Sequence, residues 1–327
     1  MSSSIKVNLE KDSYDIIFDE NFVESAMALI AISSKCMFIT QEIIYEAFEE
    51  KFSVLKSLPN VEFHLIQQGE KAKSIDTVIE ICDKMAMMHF DRSSTVFAVG
   101  GGVVGDTAGF VASIFMRGID YFQYPTTLLA MVDSSIGGKT GVNLSSGKNL
   151  IGRIHQPKAV IVDVSFLDTL PQREINASLA EAIKYGFIYD RELFNYIVEN
   201  ISDILSGKNH TVLKKIILRS CEIKSEVVSM DVNEDNIRMI LNFGHTIGHA
   251  LEGYFEYKKL LHGEAILYGM KCALYLSHTI GNLSEKDYHA SLKALSAFTL
   301  PAIDLKDKGS IIEFVKRDKK FRESQIR

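Results

Sequence analysis

The sequence predicts an α/β N-terminal domain with a Rossmann-like, mostly parallel sheet, followed by an all-α C-terminal domain. Three observations lead to this fold class. Short apolar runs alternate with stretches of helical spacing in the first half of the chain, which is typical of parallel strands joined by helices. Beyond Pro171 the strand pattern stops and long helical patterns take over. At 327 residues the chain is also longer than a single hydrophobic core usually grows.

The first half supplies the candidates for the sheet. Strands are predicted at residues 36–40, 61–66, 95–99, 121–124 and 159–162. Helices are predicted between them at residues 42–55, at 74–88 with Ser74 as the N-cap, and at 102–115. Because each strand is separated from the next by a helix or a long connection, we expect parallel pairing in a doubly wound sheet.

The second half supplies the helical domain. Helices are predicted at residues 175–188, 212–228, 237–255 and 264–279. We place the boundary so that residues 1–168 form the α/β domain and residues 169–327 the helical domain. Small-molecule sites commonly lie at domain interfaces, so we expect the active site in the cleft between the two domains.

Composition excludes several classes of protein. The formal net charge of −6 disfavours nucleic-acid binding, which needs a basic face. No apolar stretch reaches transmembrane length, and the N-terminal residues lack the apolar core of a signal peptide. The four cysteines are scattered without a CxxC pair, as expected for reduced thiols in a cytosolic protein. We therefore expect a cytoplasmic globular protein that binds neither nucleic acid nor membrane.

A glycine-rich turn follows the predicted strand at 95–99. Residues 100–105 read Gly-Gly-Gly-Val-Val-Gly, which fits the G-x-G-x-x-G spacing between a strand and a helix. Backbone N–H groups at such a helix start can hold a pyrophosphate. The turn lies far into the chain, and no acidic strand end follows at the usual offset, so a standard Rossmann domain is disfavoured. A nucleotide-binding turn and a tight turn without a ligand both remain open.

Two further glycine-rich segments present lysines. Residues 133–140 resemble a P-loop, but Asp133 replaces its first glycine, which excludes a nucleoside triphosphatase. What remains is Lys139 on one glycine turn, with Lys148 and Asn149 on another at residues 146–149. These groups suit a phosphate or a carboxylate; the alternative is a set of surface lysines in flexible loops.

Three of the nine histidines lie close together in the second half, each beside a glycine. His245 and His249 are four residues apart and would share one face of a helix. A catalytic zinc typically takes three protein ligands, for which Glu181 and His262 are further candidates. The segment lacks the glutamate that zinc peptidases place after the first histidine, so peptidase chemistry is disfavoured. The alternative is a set of structural histidines.

An acidic and a basic residue, Glu181 and Lys184, are three apart on a predicted apolar helix. A buried pair of this kind is costly unless a ligand or a metal completes it, whereas the alternative is an ordinary surface ion pair. Lys224 extends the polar set. Arg238 and Asn242 are four apart, and with His245 we expect them to share one helical face.

Seven motifs follow one another along the chain. They are Gly-Gly-Gly-Val-Val-Gly-Asp (100–106), Tyr-Pro-Thr-Thr-Leu-Leu (124–129), Asp-Ser-Ser-Ile-Gly-Gly-Lys-Thr-Gly (133–141), Gly-Lys-Asn (147–149), Leu-Ala-Glu-Ala-Ile-Lys-Tyr-Gly (179–186), Asn-Phe-Gly-His-Thr-Ile-Gly-His-Ala (242–250) and His-Gly-Glu-Ala (262–265). As a set they resemble the sugar-phosphate cyclase family, and within it the 3-dehydroquinate synthases.

The resemblance implies a carbon–oxygen lyase of the shikimate pathway of aromatic amino acid biosynthesis. It would convert 3-deoxy-D-arabino-heptulosonate 7-phosphate to 3-dehydroquinate and phosphate. The implied sequence is transient oxidation by NAD, phosphate elimination, re-reduction and intramolecular aldol cyclisation, with one divalent metal, zinc or cobalt. Such enzymes are cytoplasmic and commonly homodimeric.

The resemblance also assigns residues. Glu181, His245 and His262 match the metal ligands. Positions around the reacting substrate are matched by Asp133, Lys139, Lys184, Lys224, Arg238, Asn242 and His249. Further substrate contacts are matched by Lys148, by Asn149 on the phosphate, by Arg117 reaching across a dimer interface, and by Lys319 or Lys320. The chain ends soon after these lysines, where relatives continue briefly, which leaves open a short further C-terminal segment.

The matches to NAD-binding positions lie in both halves of the chain. They are Glu70, Lys73, Gly101, Gly102, Val103, Asp106, Thr126, Thr127, Asp133, Lys139, Lys148, Thr169, Leu170 and Glu174.

Three alternatives are weighed against this interpretation. An NAD- and metal-dependent polyol or alcohol dehydrogenase of the same architecture would need no anion clamp of lysines with Arg238 and Asn242. A cyclase acting on a sugar phosphate without a carboxylate is disfavoured because Lys224, Arg238 and Asn242 are all present. A non-catalytic relative is disfavoured because neither the metal ligands nor the lysines are lost.

Overall fold

The computed structural model describes residues 4–145, 147–206, 209–232, 234, 236–306, 308–316, 321–322 and 325–326. The chain forms two compact units. One consists of Met1–Leu170 with Ser220–Val232, and the other of Pro171–Arg219 with Asn233–Arg327. The division between residues 168 and 169 stays a prediction, and each unit is described by itself below.

The strands of the first unit are the following. They are β1 (Ser4–Val7), β2 (Tyr14–Phe18), β3 (Cys36–Gln41), β4 (Val61–Ile66), β5 (Thr95–Gly100), β6 (Asp120–Pro125), β7 (Lys139–Leu144), β8 (Gly147–Ile154) and β9 (Ala159–Val162). Seven of them form one sheet in the order β1-β2-β9-β6-β5-β3-β4. All its neighbours are parallel except β1 and β2, so the mostly parallel sheet is confirmed.

The five predicted strands are all present, but four other strands of the first unit were missed. β1 and β2 form an antiparallel edge, and β7 pairs with β8 in a separate two-stranded ribbon. Most residues of β8 are exposed, so its side chains carry no alternation of apolar and polar positions. Without that alternation, a strand gives no periodic signal in the sequence.

The helices follow in chain order. In the first unit they are α1 (Phe22–Ile30), α2 (Glu42–Ala47), α3 (Glu49–Lys56), α4 (Ile75–Met87) and α5 (Gly102–Ile114). Next come α6 (Gln172–Ile188), α7 (Arg191–Ser206), α8 (His210–Met230), α9 (His245–Tyr254), α10 (His262–Thr279), α11 (Glu285–Ser296) and α12 (Lys308–Lys316). Two two-residue strands, β10 (Phe321–Arg322) and β11 (Gln325–Ile326), follow the last helix. Where the structure describes the second unit, its regular elements are thus helical apart from this short pairing.

Two details of the first unit test the sequence predictions. Ser74 caps α4, since its hydroxyl accepts a hydrogen bond from the N–H of Thr77 at 3.2 Å, as predicted. The helix predicted at 42–55 is divided instead into α2 and α3, because Phe48 leaves helical geometry at φ −126° and ψ 31°.

The core of the first unit surrounds α5. Val104, Ala108 and Val111 are fully buried against strand residues such as Val96 and Tyr121. A helix that is apolar on nearly every side belongs inside a core rather than on its surface. Its burial fixes the glycine-rich start of α5 directly after β5.

The helices of the second unit approach one another closely at glycines. A Cβ added to Gly263 at the start of α10 would lie 1.8 Å from the carbonyl oxygen of Ala177 on α6. A Cβ on Gly269 would lie 1.9 Å from the carbonyl oxygen of Gly244, which precedes α9. Only glycine permits these distances, so α10 is held tightly against both neighbours.

The helix predicted at 237–255 is not continuous. Ile237–Asn242 forms a 3₁₀ turn, Gly244 has φ +79°, and α9 begins at His245. The expectation that Arg238 and Asn242 share one helical face with His245 was therefore wrong. The left-handed conformation of Gly244, with Met270 N only 2.8 Å from where a Cβ would stand, explains why the chain turns there.

Two global features complete the fold. Among the helices that the structure describes, none combines the length and the apolar character that crossing a bilayer would require. The four cysteines, Cys36, Cys82, Cys221 and Cys272, are free thiols.

Candidate active site

Three predicted metal ligands converge in the second unit. Glu181 lies on α6, while His245 and His262 are the first residues of α9 and α10. The Oε1 atom of Glu181 lies 3.5 Å from Nε2 of His245 and 3.6 Å from Nε2 of His262. Within the part of the chain that the structure describes, this buried oxygen has no hydrogen-bond partner.

These distances suit a bound cation. Tetrahedral zinc with bonds of about 2.0–2.1 Å to nitrogen and oxygen places its ligand atoms about 3.3 Å apart. The three donor atoms meet this spacing closely, and they are a carboxylate and two imidazoles, as in catalytic zinc sites. The residues present therefore fit a divalent metal, and a cation would satisfy the buried oxygen.

The pKa values of these three residues are shifted by different causes and in different directions. Burial raises the pKa of Glu181, but the charge of Lys184, helped by His245 and His262, outweighs it and holds that pKa well below its usual range. Burial lowers the pKa of His245 well below normal, leaving a neutral imidazole. Burial also opposes protonation of His262, but Glu252 and Glu181 raise its pKa to about 10. Without a cation, His262 therefore carries the proton that a metal would replace.

Lys184 completes the surroundings of Glu181. Its ammonium donates a hydrogen bond to Oε2 of Glu181, and the pair is fully buried. The same ammonium lies 5.0 Å from the centre of the Tyr185 ring. One carboxylate oxygen is thus held by a lysine while the other faces the two imidazoles.

The remaining histidine of the motif stands beside the cluster. The ring centre of His249 lies 5.3 Å from that of His245 and 5.9 Å from that of His262. Next on the same face of α9 is Glu252, whose Oε2 lies 3.1 Å from Nδ1 of His262. Glu252 was not predicted, although positions 245, 249 and 252 have the spacing of one helical face.

Arg238 and Asn242 lie on the 3₁₀ turn before α9. Arg238 is only 2% exposed. The side-chain amide of Asn242 donates to Oε1 of Glu234 at 2.9 Å. Glu234 was also not predicted: it lies outside any helix, so no spacing in the sequence links it to Asn242.

A second cluster forms in the first unit around Lys224 of α8. Its ammonium donates to Oδ1 of Asp133 at 2.8 Å and to the main-chain carbonyl of Asp133 at 2.6 Å. Lys224 is 6% exposed, and Asp133 lies on a π-helical turn, Ala130–Ser134. These two predicted substrate-site residues are therefore brought together.

Predicted NAD-binding residues gather at the start of α5. Gly101 is its N-cap, and a Cβ there would lie 3.0 Å from Cγ2 of Thr127. The N–H of Thr126 donates to the carbonyl of Gly100 at 3.0 Å. On the next turn of the helix, Asp106 pairs with the buried Lys73.

The predicted lysine loops are strands instead. Lys139 opens β7, while Lys148 and Asn149 belong to β8. Antiparallel pairing explains the correction, since each glycine segment leads into one strand of the ribbon. Lys148 Nζ lies 3.9 Å from Oε1 of Glu70. Asn149 has φ +55°.

The remaining predicted residues are placed as follows. Val103 follows Gly102 in the first turn of α5, and Arg117 is exposed at the end of a 3₁₀ turn with φ +71°. Thr169 and Leu170 end the first unit's main segment, whereas Glu174 lies in the first turn of α6 in the second unit. Lys319 and Lys320 lie outside the described residues.

Comparison with known families and proteins agrees with these motifs. The 3-dehydroquinate synthase N-terminal family matches residues 63–177, and the 3-dehydroquinate synthase C-terminal family matches residues 178–321. A 3-dehydroquinate synthase from Thermoanaerobacter pseudethanolicus is 45% identical, over 98% of this chain and 92% of its own length.

Solved structures share the fold. A 2-deoxy-scyllo-inosose synthase complexed with carbaglucose-6-phosphate, NAD+ and Co2+ is 28% identical, with a TM-score of 0.88 over 97% of this chain and 88% of that one. ValA, a 2-epi-5-epi-valiolone synthase from Streptomyces hygroscopicus subsp. jinggangensis with NAD+ and Zn2+ bound, is 28% identical, with a TM-score of 0.87 over 97% and 89%. Because the two family matches together cover most of the sequence, the chain belongs to the 3-dehydroquinate synthase family.

Proposed function

We propose that this protein is a 3-dehydroquinate synthase, a carbon–oxygen lyase that converts 3-deoxy-D-arabino-heptulosonate 7-phosphate to 3-dehydroquinate and phosphate. The observation that carries the proposal is the convergence of Glu181, His245 and His262 in a chain of this family. The buried Oε1 of Glu181, which has no hydrogen-bond partner among the residues that the structure describes, supports a cation at that point.

The proposed activity requires two bound cofactors, a divalent cation and NAD. Glu181, His245 and His262 would hold one divalent cation, zinc or cobalt, as two structural relatives hold Zn2+ and Co2+ with NAD+. When bound, the cation supplies Lewis-acid polarisation of the substrate's hydroxyls, and NAD supplies reversible uptake of a hydride.

The start of α5 supports NAD binding. The main-chain N–H groups at the first turn of this 13-residue helix have no side-chain cap, as in helix starts that hold a pyrophosphate. Gly101 and Gly102 let the ligand approach the backbone. Asp106, one turn further on, pairs with the buried Lys73.

The cationic side chains would position the substrate. Arg238 presents a planar fork that can bind both oxygens of a carboxylate, and Lys224 is held in place by Asp133. Lys139, Lys148 and Asn149 would bind the phosphate end, with Lys319 or Lys320 as a further contact. Holding both anionic ends fixes the reacting carbons and lowers the entropic cost of the reaction.

Two side chains would handle protons. Lys184 donates a hydrogen bond to Oε2 of Glu181 and lies beside the proposed metal ligands. His249 lies at the edge of the imidazole cluster and is half-buried, which suits exchange of protons with a bound substrate.

The assembly and compartment are also proposals. Ile114 and Met116 are 42% and 45% exposed beside the exposed Arg117. A homodimer that covers this apolar surface would let Arg117 reach the neighbouring subunit's site. The free cysteines support the reducing environment of the cytoplasm.

A phosphate-release assay tests the proposed activity. The full-length protein is incubated with NAD, Zn2+ and the heptulosonate phosphate, with and without a chelator, while NADH absorbance is followed. We expect phosphate release that the chelator abolishes, without accumulation of NADH. Steady accumulation of NADH without phosphate release would show a dehydrogenase instead.

A further inference from the structure

The two ring nitrogens of His262 face opposite carboxylates. Nε2 lies 3.6 Å from Oε1 of Glu181, and Nδ1 lies 3.1 Å from Oε2 of Glu252. The contact with Glu252 is within hydrogen-bond distance, whereas the contact with Glu181 is not. Glu252 is only 4% exposed, whereas the side chain of His262 is 31% exposed.

We propose that Glu252 is a positioning residue for the metal site, an inference that rests on the proposed function for the cation held by Glu181, His245 and His262. By accepting the Nδ1–H of His262, Glu252 fixes the tautomer whose Nε2 lone pair faces the cation. It also fixes the plane of the ring, because the carboxylate and the cation lie on opposite edges of it.

The geometry favours this role over direct ligation by Glu252. His249, Glu252 and His262 also form a group with ligand-like spacing. However, the Nδ1 proton of His262 occupies the short gap to Glu252, so a cation cannot lie there too. Among the described residues, Oε1 of Glu181 is a buried oxygen without a hydrogen-bond partner, which favours a cation on the Nε2 side.

The second imidazole ligand is oriented in a different way. Nδ1 of His245 lies 3.2 Å from the main-chain carbonyl of Phe243. That acceptor is part of the backbone and cannot be removed by substitution. Among the two histidine ligands, His262 is therefore the one whose orientation depends on a side chain.

Cobalt binding tests the proposal without substrate or turnover. The full-length protein and its Glu252→Leu and Glu252→Gln variants are freed of metal and titrated with Co2+ against a competing chelator, while the visible absorption of bound Co2+ is recorded. We expect Glu252→Leu to bind Co2+ about 10- to 100-fold more weakly, with an altered spectrum.

The glutamine variant separates positioning from simple loss of a buried side chain. Its amide oxygen can still accept the Nδ1 proton, so we expect it to restore the wild-type spectrum and most of the affinity. This variant also serves if Glu252→Leu does not fold. The proposal would be overturned if Glu252→Gln had an altered spectrum and bound Co2+ as weakly as Glu252→Leu does. It would also be overturned if a folded Glu252→Leu protein bound Co2+ as the wild type does.

A matched control comes from another largely buried carboxylate of the same unit. Asp190 accepts hydrogen bonds from the backbone at the start of α7 and contacts no ligand histidine. We expect Asp190→Asn to lower stability without changing Co2+ affinity. If the protein released no phosphate from the heptulosonate phosphate, the proposed function would fail, but the binding measurements would still decide the role of Glu252.

Discussion

Lys184 donates a hydrogen bond to Oε2 of Glu181, and neither side chain is more than 1% exposed. The pair leaves Oε1 of Glu181 directed at His245 and His262. A buried carboxylate without its cationic partner would take up a proton and lose its value as a metal ligand. Lys184 therefore keeps Glu181 ionised before a metal arrives.

Replacing Lys184 by Met should destabilise the metal-free protein by about 3–5 kcal/mol, because it strands a buried carboxylate. Urea unfolding measures this loss. The double variant Lys184→Met/Glu181→Gln should recover part of the stability, since it removes the stranded charge, but it should not bind zinc. Equal stability of Lys184→Met and the wild type would contradict the role of the pair.

Metal binding should release a proton from His262. Its pKa is raised from 6.5 to about 10, so the metal-free ring is protonated at neutral pH, and Zn2+ must displace that proton. Zinc affinity should therefore rise with pH up to about 10, by about tenfold per unit. Calorimetry in buffers of different ionisation enthalpy measures the release. Binding with no proton released at neutral pH would contradict this account.

The same shift predicts how the metal-free fold responds to pH. A raised pKa in the folded state means that the protonated ring stabilises the fold fully below pH 6.5, and that this contribution is lost as the pH rises through about 10. The variant His262→Gln should lack this part of the alkaline destabilisation. Thermal unfolding across this range, with the wild type beside the variant, checks the difference.

Gly263→Ala should damage the metal site by displacing α10, whose first residue is His262. The new Cβ would stand 1.8 Å from the carbonyl oxygen of Ala177, so α10 would have to move away from α6. His262 would then separate from Glu181. We expect a loss of about 1–3 kcal/mol in stability and at least about tenfold weaker zinc binding.

A glycine with a softer neighbour provides the control. At Gly147 an added Cβ would approach only the side chain of Leu150, at 3.2 Å. The variant Gly147→Ala should bind zinc as the wild type does. Undiminished zinc affinity in Gly263→Ala would show that α10 can shift without opening the site.

Arg238→Lys should separate recognition of the carboxylate from metal binding. Lysine keeps the charge but loses the planar fork, so kcat/KM for the heptulosonate phosphate should fall at least about tenfold while zinc affinity stays unchanged. A heptulose phosphate without the carboxylate serves as the matched substrate. Turnover of only that substrate by the wild type would instead show a cyclase for carboxylate-free sugars.

The sequence allowed much of the fold to be predicted. Strands buried on both faces, such as β5, appear as continuous apolar runs, and helices such as α4 bury apolar residues three or four positions apart. The ribbon of β7 and β8 was missed because most of β8 is exposed. The break at Gly244 was missed because close packing against Met270, a contact between distant segments, imposes it.

In the candidate site, too, some residues could be predicted from the sequence and others could not. Glu181, His245 and His262 were predicted as ligands through the family resemblance, whereas local spacing alone indicated only that His245 and His249 share a helical face. Glu252 was missed, but it could have been predicted from helical spacing, since it lies on the same helical face as His245. Glu234 could not have been predicted, because its contact with Asn242 arises from the path of a turn rather than from any repeating pattern.

An anomalous difference map from crystals grown with Zn2+ tests the central claim most directly. We predict one peak within about 2.0–2.2 Å of Oε1 of Glu181, Nε2 of His245 and Nε2 of His262. A zinc ion bound elsewhere, with these three atoms left unliganded, would contradict the account.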